Sequence, residues 1–562
     1  MNQKTPSLLK RKLKSGVNKL RIAWAVLRAR GPSQFQFWLI ALAIGVAAGF
    51  ATLMFRKGIT LVQNLAYGTR HANEVQGIAA QLEWYWVLVI PIIGGLVVGL
   101  ILDRFTPNGQ AHSVTEVIEG AALYEGRVPL RAGAASVVAS MITLGTGGSS
   151  GREGPVVHMA SVISTWVSER INADGITGRN LLGCAVAAAV SASFNAPIAG
   201  ALFALEVVLR HFAVHSFAPI VIASAAGTVI NRLEFGDITE FTLPVSTALD
   251  FYVELPAFLI LGLVCGVVAS LMIYAIIFVE DIGNDLQQRA RLPRWLRPMV
   301  AGGMLGGLAI WFPHIIGVGY ETTSAALTGG LVLHEAIVFA LLKAVAVAIT
   351  IGGRMGGGMF SPSLMMGALT GLAFGWIATS ILPDVSGSHT LYALAGMGAL
   401  AATVLGAPIS TTLIVFEMTG DWQTGLAVMV AVSTSTALGS RLVEMSFFLT
   451  QLARRGVHVA AGPQAYLLSM SRVANVMRDK EHERAADEET CWELIGDGIY
   501  IDGNATLETA MPVFDRTGVP FIPVVTLAGE GEPPELWGAL FHVDALKAFN
   551  RALAAVSEEE HS

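Results

Sequence analysis

Two charged residues, Arg152 and Glu153, stand in the stretch Gly145-Thr-Gly-Gly-Ser-Ser-Gly-Arg-Glu-Gly-Pro155. The rest of it is five glycines, a proline and small hydroxyl residues. Apolar segments flank it, Ala135–Leu144 before and Val156–Val167 after. A glycine-rich loop that opens a helix offers free backbone N–H groups and the positive end of the helix dipole, which together make an anion site. Proline in the first turn costs nothing there, because its missing N–H would be unpaired anyway. A carboxylate at the same place competes with any anion for the same donors. The chemistry these residues suit is therefore anion passage with a built-in plug. Inside a membrane such a broken helix must line a cavity or be covered by protein.

The elements that must hold this loop are membrane helices. The chain has 562 residues, 53% of them hydrophobic and 14% charged, with sixty glycines. That composition belongs to a polytopic membrane protein and excludes a soluble enzyme or a nucleic-acid binder. Cys184, Cys265 and Cys491 have neither disulfide nor metal-ligand spacing, so no metal site is expected. The net charge of −6 conceals an asymmetry: the first thirty-one residues carry many Lys and Arg and no Asp or Glu. Basic flanks stay cytoplasmic, which places the N-terminus inside; a cytoplasmic C-terminus and a bacterial inner membrane are also expected. Residues 1–34 form a basic segment, read either as an amphipathic helix on anionic lipid or as a topology signal. Apolar runs follow at Phe35–Phe55, Trp84–Leu102, Ala132–Leu144, Val156–Ser168, Asn180–Ala192, Ile198–Leu209 and Ala218–Ile230. The second half gives Leu255–Val279, Met299–Phe312, Ala336–Ile351, Ser363–Ile381, Leu391–Thr403, Ile409–Phe416 and Thr424–Leu438. Many are shorter than the ~20 residues of a perpendicular crossing, and short, interrupted segments are what transporter binding sites are built from.

An internal repeat orders these segments. Gly151-Arg-Glu-Gly-Pro155 matches Gly358-Met-Phe-Ser-Pro362, 207 residues on. Asn195-Ala-Pro197, with the helix ending at Glu206, matches Gly406-Ala-Pro408 with Glu417, a step of 211. His112-Ser-Val-Thr-Glu116 faces Gly317-Val-Gly-Tyr-Glu321, a step of 205. Three collinear matches predict two repeats, about 84–230 and 297–440, with a site at their interface near the midplane. After Gly456 the character turns soluble. A strand at Ile499–Ile501, a helix over Ala505–Arg516, strands at Phe521–Val525 and Leu536–Phe541 and a last helix from Val543 read as a small α+β domain over 457–562.

The motifs Gly151–Pro155, Gly358–Pro362 and Asn195-Ala-Pro197…Glu206, in this order, resemble those of the CLC family of chloride channels and chloride/proton antiporters, over residues 36–456. The tail resembles a single CBS domain through Val473–Met477, Thr517–Val525 and His542–Leu546. The resemblance implies an all-α polytopic fold of two inverted repeats over 35–456, homodimers with one anion path per subunit, and chloride as substrate. Glu153 matches the gating glutamate of the family. Backbone N–H groups of Gly154, Met359 and Phe360 match its anion donors. The serine and tyrosine that complete its central site fall on His112 and Phe448, neither of which has a hydroxyl. The internal proton-handling glutamate of the antiporters falls on Val207, as in channel members.

Several residues keep two readings at this stage. Arg152 either organises the loop or attracts anions. His112 is a pH-sensitive anion contact or a neutral, hydrogen-bonded histidine. Phe448 is a pore constriction or a packing side chain. Glu116, Glu206, Glu417 and His158 read as structural. Passive, Glu153-gated conduction is the leading expectation; the alternative is proton-coupled antiport through water or His112. Gly147-Gly-Ser149-Ser-Gly151 also fits the nucleophile motif of serine hydrolases, but it lacks the strand–turn–helix setting and leaves the repeat unexplained. A CBS-regulated cation carrier would line its path with carboxylates rather than helix starts. No cofactor is expected; the CBS-like domain is the one place where a nucleotide would bind.

Overall fold

The computed structural model describes residues 32–69, 74–212, 214–236, 241, 243, 254–381, 383, 386, 388–457, 459, 467–468, 471–503, 505–526 and 535–561. The basic segment therefore lies, up to residue 31, outside the described residues. The chain forms two compact units, 1–209 with 216–458, and 210–215 with 459–562.

The first unit is helical. Helix α1 runs Gln34–Tyr67, α2 Val75–Ala79, α3 Trp84–Phe105, α4 Val114–Leu123, α5 Leu130–Gly145, α6 Glu153–Ile171 and α7 Gly175–Phe194. Helix α8, Pro197–Phe203, passes into a π turn, Ala204–Leu209, and α9 spans Val214–Phe235. Then come α10 Leu255–Arg289, α11 Leu296–Trp311, α12 Tyr320–Leu327, α13 Leu333–Gly352, α14 Phe360–Ile381, α15 His389–Leu405, α16 Pro408–Thr419, α17 Trp422–Leu442 and α18 Phe447–Arg454. Among the described residues, seven helices are long and apolar enough to cross a membrane. Leu130–Gly145, Pro197–Leu209 and His389–Leu405 are apolar but shorter.

The order of α3–α9 is repeated by α11–α17, and the contacts between the two series are reciprocal. Ser149 N donates to Thr350 Oγ1 at 3.1 Å, and Gly356 N donates to Thr143 Oγ1 at 3.1 Å. Gly151 and Gly358 form an antiparallel bridge, each N–H donating to the other carbonyl at 2.7 Å. Such exchanged pairs are what an approximate two-fold axis between the repeats requires. The tight loops depend on left-handed backbone: Gly147 has φ 103°, its counterpart Arg354 φ 59°, and Gly357 φ 140°. At φ 140° only glycine escapes strain. Helices α7 and α15 are buried nearly throughout and carry alanine or glycine at eight of 20 and seven of 17 positions. Small side chains let the surrounding helices approach closely, which is how membrane helices pack.

The second unit has a four-stranded sheet, β1 Arg478–Asp479, β2 Ile501–Asp502, β3 Phe521–Thr526 and β4 Glu535–Phe541, in the order β1-β4-β3-β2. The pairs β1–β4 and β3–β4 are antiparallel; β2–β3 is parallel, with α20, Leu507–Thr517, as its crossover. A parallel pair needs such a connection. Two further helices are α19, Glu488–Gly496, and α21, His542–His561. Val473, Leu507, Phe514, Ile522, Val524 and Leu540 make the core.

Candidate anion site

Glu153 opens α6, but its carboxylate is held by the start of α14, in the other repeat. Its Oε1 accepts from Ser361 Oγ at 2.5 Å, and its Oε2 accepts from Ser361 N at 3.3 Å. The side chain of Glu153 is 2% exposed. The Gly151–Gly358 bridge makes this reach possible, because it sets the two broken loops back to back. Arg152 Nε stands 3.8 Å from Glu153 Oε1. The guanidinium also donates to Ser193 O at 3.1 Å and lies 5.3 Å from the centre of the Tyr320 ring. Arg152 thus holds the loop to α7 and balances the buried carboxylate.

Two clefts approach this point. One, of about 430 Å³ counting the open solvent at its mouth, is lined by Arg56, Gln63, Arg152, Gly319, Tyr320 and Glu321 among others. The other, of about 600 Å³ with the solvent at its mouth, includes Ser113, Gly358, Met359, Phe448 and Arg455 in its wall. Glu153 sits between Arg152, which faces the first, and the Gly358–Met359 corner, which faces the second. Gly154 is pressed against the second repeat: a Cβ there would lie 3.1 Å from Gly358 Cα and would collide with Ser113 Oγ. The backbones of Gly154 and Gly358 therefore meet with no side chain between them.

A family model described as voltage gated chloride channel matches residues 94–440 of the chain. The chain belongs to that family. It is 30% identical over 422 residues to a putative chloride channel protein ClcB-like from Ralstonia nicotianae, covering 74% of this chain and 96% of that protein. It is 28% identical over 420 residues to an H(+)/Cl(-) exchange transporter ClcA of Vibrio cholerae, covering 73% and 87%. The fold is like that of a slow cyanobacterial Cl-/H+ antiporter, with a TM-score of 0.66 at 20% identity over 75% of this chain and 98% of that one. As a member of the chloride channel family the protein is a multi-pass membrane protein.

The remaining family positions fall as follows. Met359 and Phe360 are buried at the start of α14, and the Phe360 ring packs 4.7 Å from Phe194 and 5.6 Å from Phe203, centre to centre. Phe448, on α18, is buried in the wall of the second cleft beside Phe447. Val207 lies in the π turn, 5% exposed and without a polar atom on its side chain. Its neighbour Glu206 is fully engaged, accepting from Ile409 N at 2.9 Å, Ser410 N at 2.8 Å and Ser410 Oγ at 2.5 Å. Reciprocally, Glu417 accepts from Ile198 N at 3.0 Å and Ala199 N at 2.8 Å. Glu116 accepts from Ser113 N at 2.6 Å and from Arg455 Nη1 at 2.7 Å, closing the wall of the second cleft.

Three side chains enter the site that sequence reading does not single out. Ser361, the acceptor's partner at Glu153, stands inside the quoted motif Gly358–Pro362. Ser113, one residue after His112, is the hydroxyl that the cleft presents, and its Oγ is buried with no protein partner. His112 instead turns its ring toward His158, 5.4 Å between centres, while its N–H donates to Ser136 Oγ at 2.9 Å. Lys343 is fully buried; its ammonium donates to Gly317 O at 2.8 Å and Ile315 O at 3.3 Å, on the loop that lines the first cleft. A lysine within the apolar run Ala336–Ile351 is the signal that could have found it, since an ionisable group at membrane depth is functional by default.

Proposed function

We propose that this protein conducts chloride passively across the membrane, with Glu153 as its gate. The observation that carries the reading is the seating of the Glu153 carboxylate on Ser361 N and Oγ, the donors at the start of α14. An anion arriving at Gly154, Met359 and Phe360 would compete for the same helix starts. Ser113 adds a hydroxyl where His112 and Phe448 supply none. Val207 supports conduction without proton coupling, because neither it nor the occupied Glu206 offers a carboxylate to carry protons. The polar pair His112–His158 supports the second reading, chloride/proton antiport by a different internal route. Homodimerisation, both termini in the cytoplasm and a bacterial inner membrane complete the proposal. The α+β unit is proposed to be a CBS-like domain, in support of which its helix crosses between the parallel strands β2 and β3.

The test is made on purified protein in liposomes. A chloride gradient is set, the voltage is clamped with an ionophore and external pH is followed with an electrode. Conduction predicts chloride release without proton movement. Protons driven against their gradient by chloride would overturn it in favour of antiport, and no chloride release would overturn both.

A further inference from the structure

The two repeats differ in charge at matching turns. Where the first repeat has Gly147, the second has Arg354. Arg354 takes left-handed backbone, φ 59°, which residues other than glycine, Asn and Asp seldom adopt. Strained residues persist where neighbours hold them from several sides, and they cluster at functional sites. Arg354 is held in that way. Its Nη1 donates to Asn108 O and its Nη2 to Asn284 Oδ1, both at 3.1 Å, while its Nε is buried without an acceptor. The same Asn284 oxygen accepts from Arg297 Nη1 at 2.6 Å, and Arg297 Nε donates to Gly352 O at 2.9 Å, two residues before Arg354. Both acceptors of Arg354 are neutral, so no contact cancels its charge.

Arg354 lines the second cleft, together with Gln110, Glu280 and Arg455. Arg455 is matched there by Glu116 at 2.7 Å. The charged groups that act on Arg354 are Glu280, Arg294 and Arg297. With Arg354 they make three cations against one carboxylate. Among the described residues Arg354 has no ion pair; Glu280 acts on it from a distance, its Oε1 accepting from Gln110 Nε2 at 3.4 Å. A surplus of one sign of charge on the low-dielectric walls of a cleft raises the local concentration of counter-ions.

We propose that Arg354 is an anion-collecting residue, whose guanidinium concentrates chloride at the mouth of the second cleft through its field. This rests on the anion-transport reading above and adds to it a residue outside the meeting point of the broken loops. It also gives the strain a reason. Glycine would relax the turn, as Gly147 does in the other repeat, but would remove one of the three positive charges. A collecting charge lowers the chloride concentration that gives half-maximal flux and leaves the maximal rate alone. Salt weakens it, because the Debye length falls from about 10 Å at 0.1 M to about 3 Å at 1 M. A residue that only braced the turn would show neither signature.

Initial chloride release from liposomes is measured over a series of chloride concentrations for wild type, Arg354→Asn, Arg354→Gly and Arg354→Lys. Ionophores collapse voltage and pH differences, so a channel and an antiporter are both read. Potassium gluconate holds the ionic strength at about 0.1 M or about 1 M. Asn tolerates the left-handed backbone, Lys keeps the charge, and each variant is checked for the wild-type elution volume in detergent. At the lower salt, half-saturating chloride is expected to rise several-fold in Arg354→Asn and Arg354→Gly, with the maximal rate unchanged. Arg354→Lys should stay near wild type, and all four should converge at the higher salt. Unmoved half-saturation in the neutral variants, or a shift that Arg354→Lys shares or that survives the higher salt, would overturn the proposal. Wild type supplies a check that needs no variant to fold: half-saturating chloride that is the same at both salts overturns it too. Absence of chloride release from wild type at every concentration would instead fail the transport reading, so the two failures are distinguishable.

Discussion

Ser361 decides how firmly the gate is seated. A hydrogen bond to a charged group contributes about 1.5–3 kcal/mol, and 1.4 kcal/mol is a tenfold change in an equilibrium. Removing the hydroxyl by Ser361→Ala, which keeps the backbone donor, should shift the seated Glu153 toward release by about tenfold or more. Chloride flux at neutral pH is expected to rise toward that of Glu153→Ala, where no carboxylate remains. Liposome release rates for the two variants check this, and a Ser361→Ala rate equal to wild type would show that the hydroxyl does not hold the gate. Glu153, proposed above as the gate, was legible in the sequence as a candidate, because its loop sets one Arg-Glu pair among glycines in an apolar setting and matches a motif of the family it resembles. Its partner was not. The contact joins residues 208 apart in the chain, and nothing in the spacing of Gly358–Pro362 says which of its atoms faces the other repeat. Ser113 escaped for a local reason: the turn before α4 has no periodicity, so nothing fixes which of two adjacent residues points into the cleft.

Elements were legible where they are apolar. The run Leu255–Val279 ends where charges begin, yet α10 continues through Glu280 and Asp281 to Arg289; hydropathy reports the membrane, not the helix. For the same reason α4 and α12, with Glu116, Glu119 and Glu321 in ten and eight residues, leave no apolar run. What the sequence could suggest but not demonstrate is the use of Glu206 and Glu417. Each carboxylate caps the helix of the opposite repeat, accepting the first free N–H groups of α16 and α8 and meeting the positive end of its dipole. Leaving those donors unpaired costs about 1–3 kcal/mol, toward the low end here because both sites are partly open. Glu206→Ala and Glu417→Ala are each expected to lower the Tm of the purified protein by a few degrees, Glu206→Ala the more because it also strands Ser410 Oγ. Glutamine, which keeps an acceptor, should recover part of the loss. Thermal unfolding in detergent measures this; unchanged midpoints in both alanine variants would mean that the caps are ornamental to stability.

At the scale of the molecule, the repeat was legible because three motif pairs keep nearly one offset, and the exchanged bonds between Ser149, Thr350, Gly356 and Thr143 are its physical expression. The small α+β unit was legible in its strands β3 and β4, which are apolar runs, and less so in α19, whose Glu-Glu-Thr-Cys-Trp-Glu turns sit in a charged stretch. The place where the two repeats become one site is the Gly151–Gly358 bridge, and it leaves no room for a side chain. A Cβ on Gly151 would lie 2.8 Å from Glu153 Oε2 and 3.0 Å from Ser361 N. Gly151→Ala therefore drives a methyl group between the carboxylate and the donor that receives it, while its backbone conformation remains open to alanine. Two results follow from one wedge. The gate can no longer seat, which raises flux, and the bridge must widen, which lowers stability by about 1–3 kcal/mol, the usual cost of overpacking. Measured together, faster chloride release with a lower Tm identifies the bridge as the element that both joins the repeats and aims the gate. A lower Tm with unchanged release would assign the bridge to folding alone, and would move the aiming of Glu153 to Arg152 and its hold on Ser193.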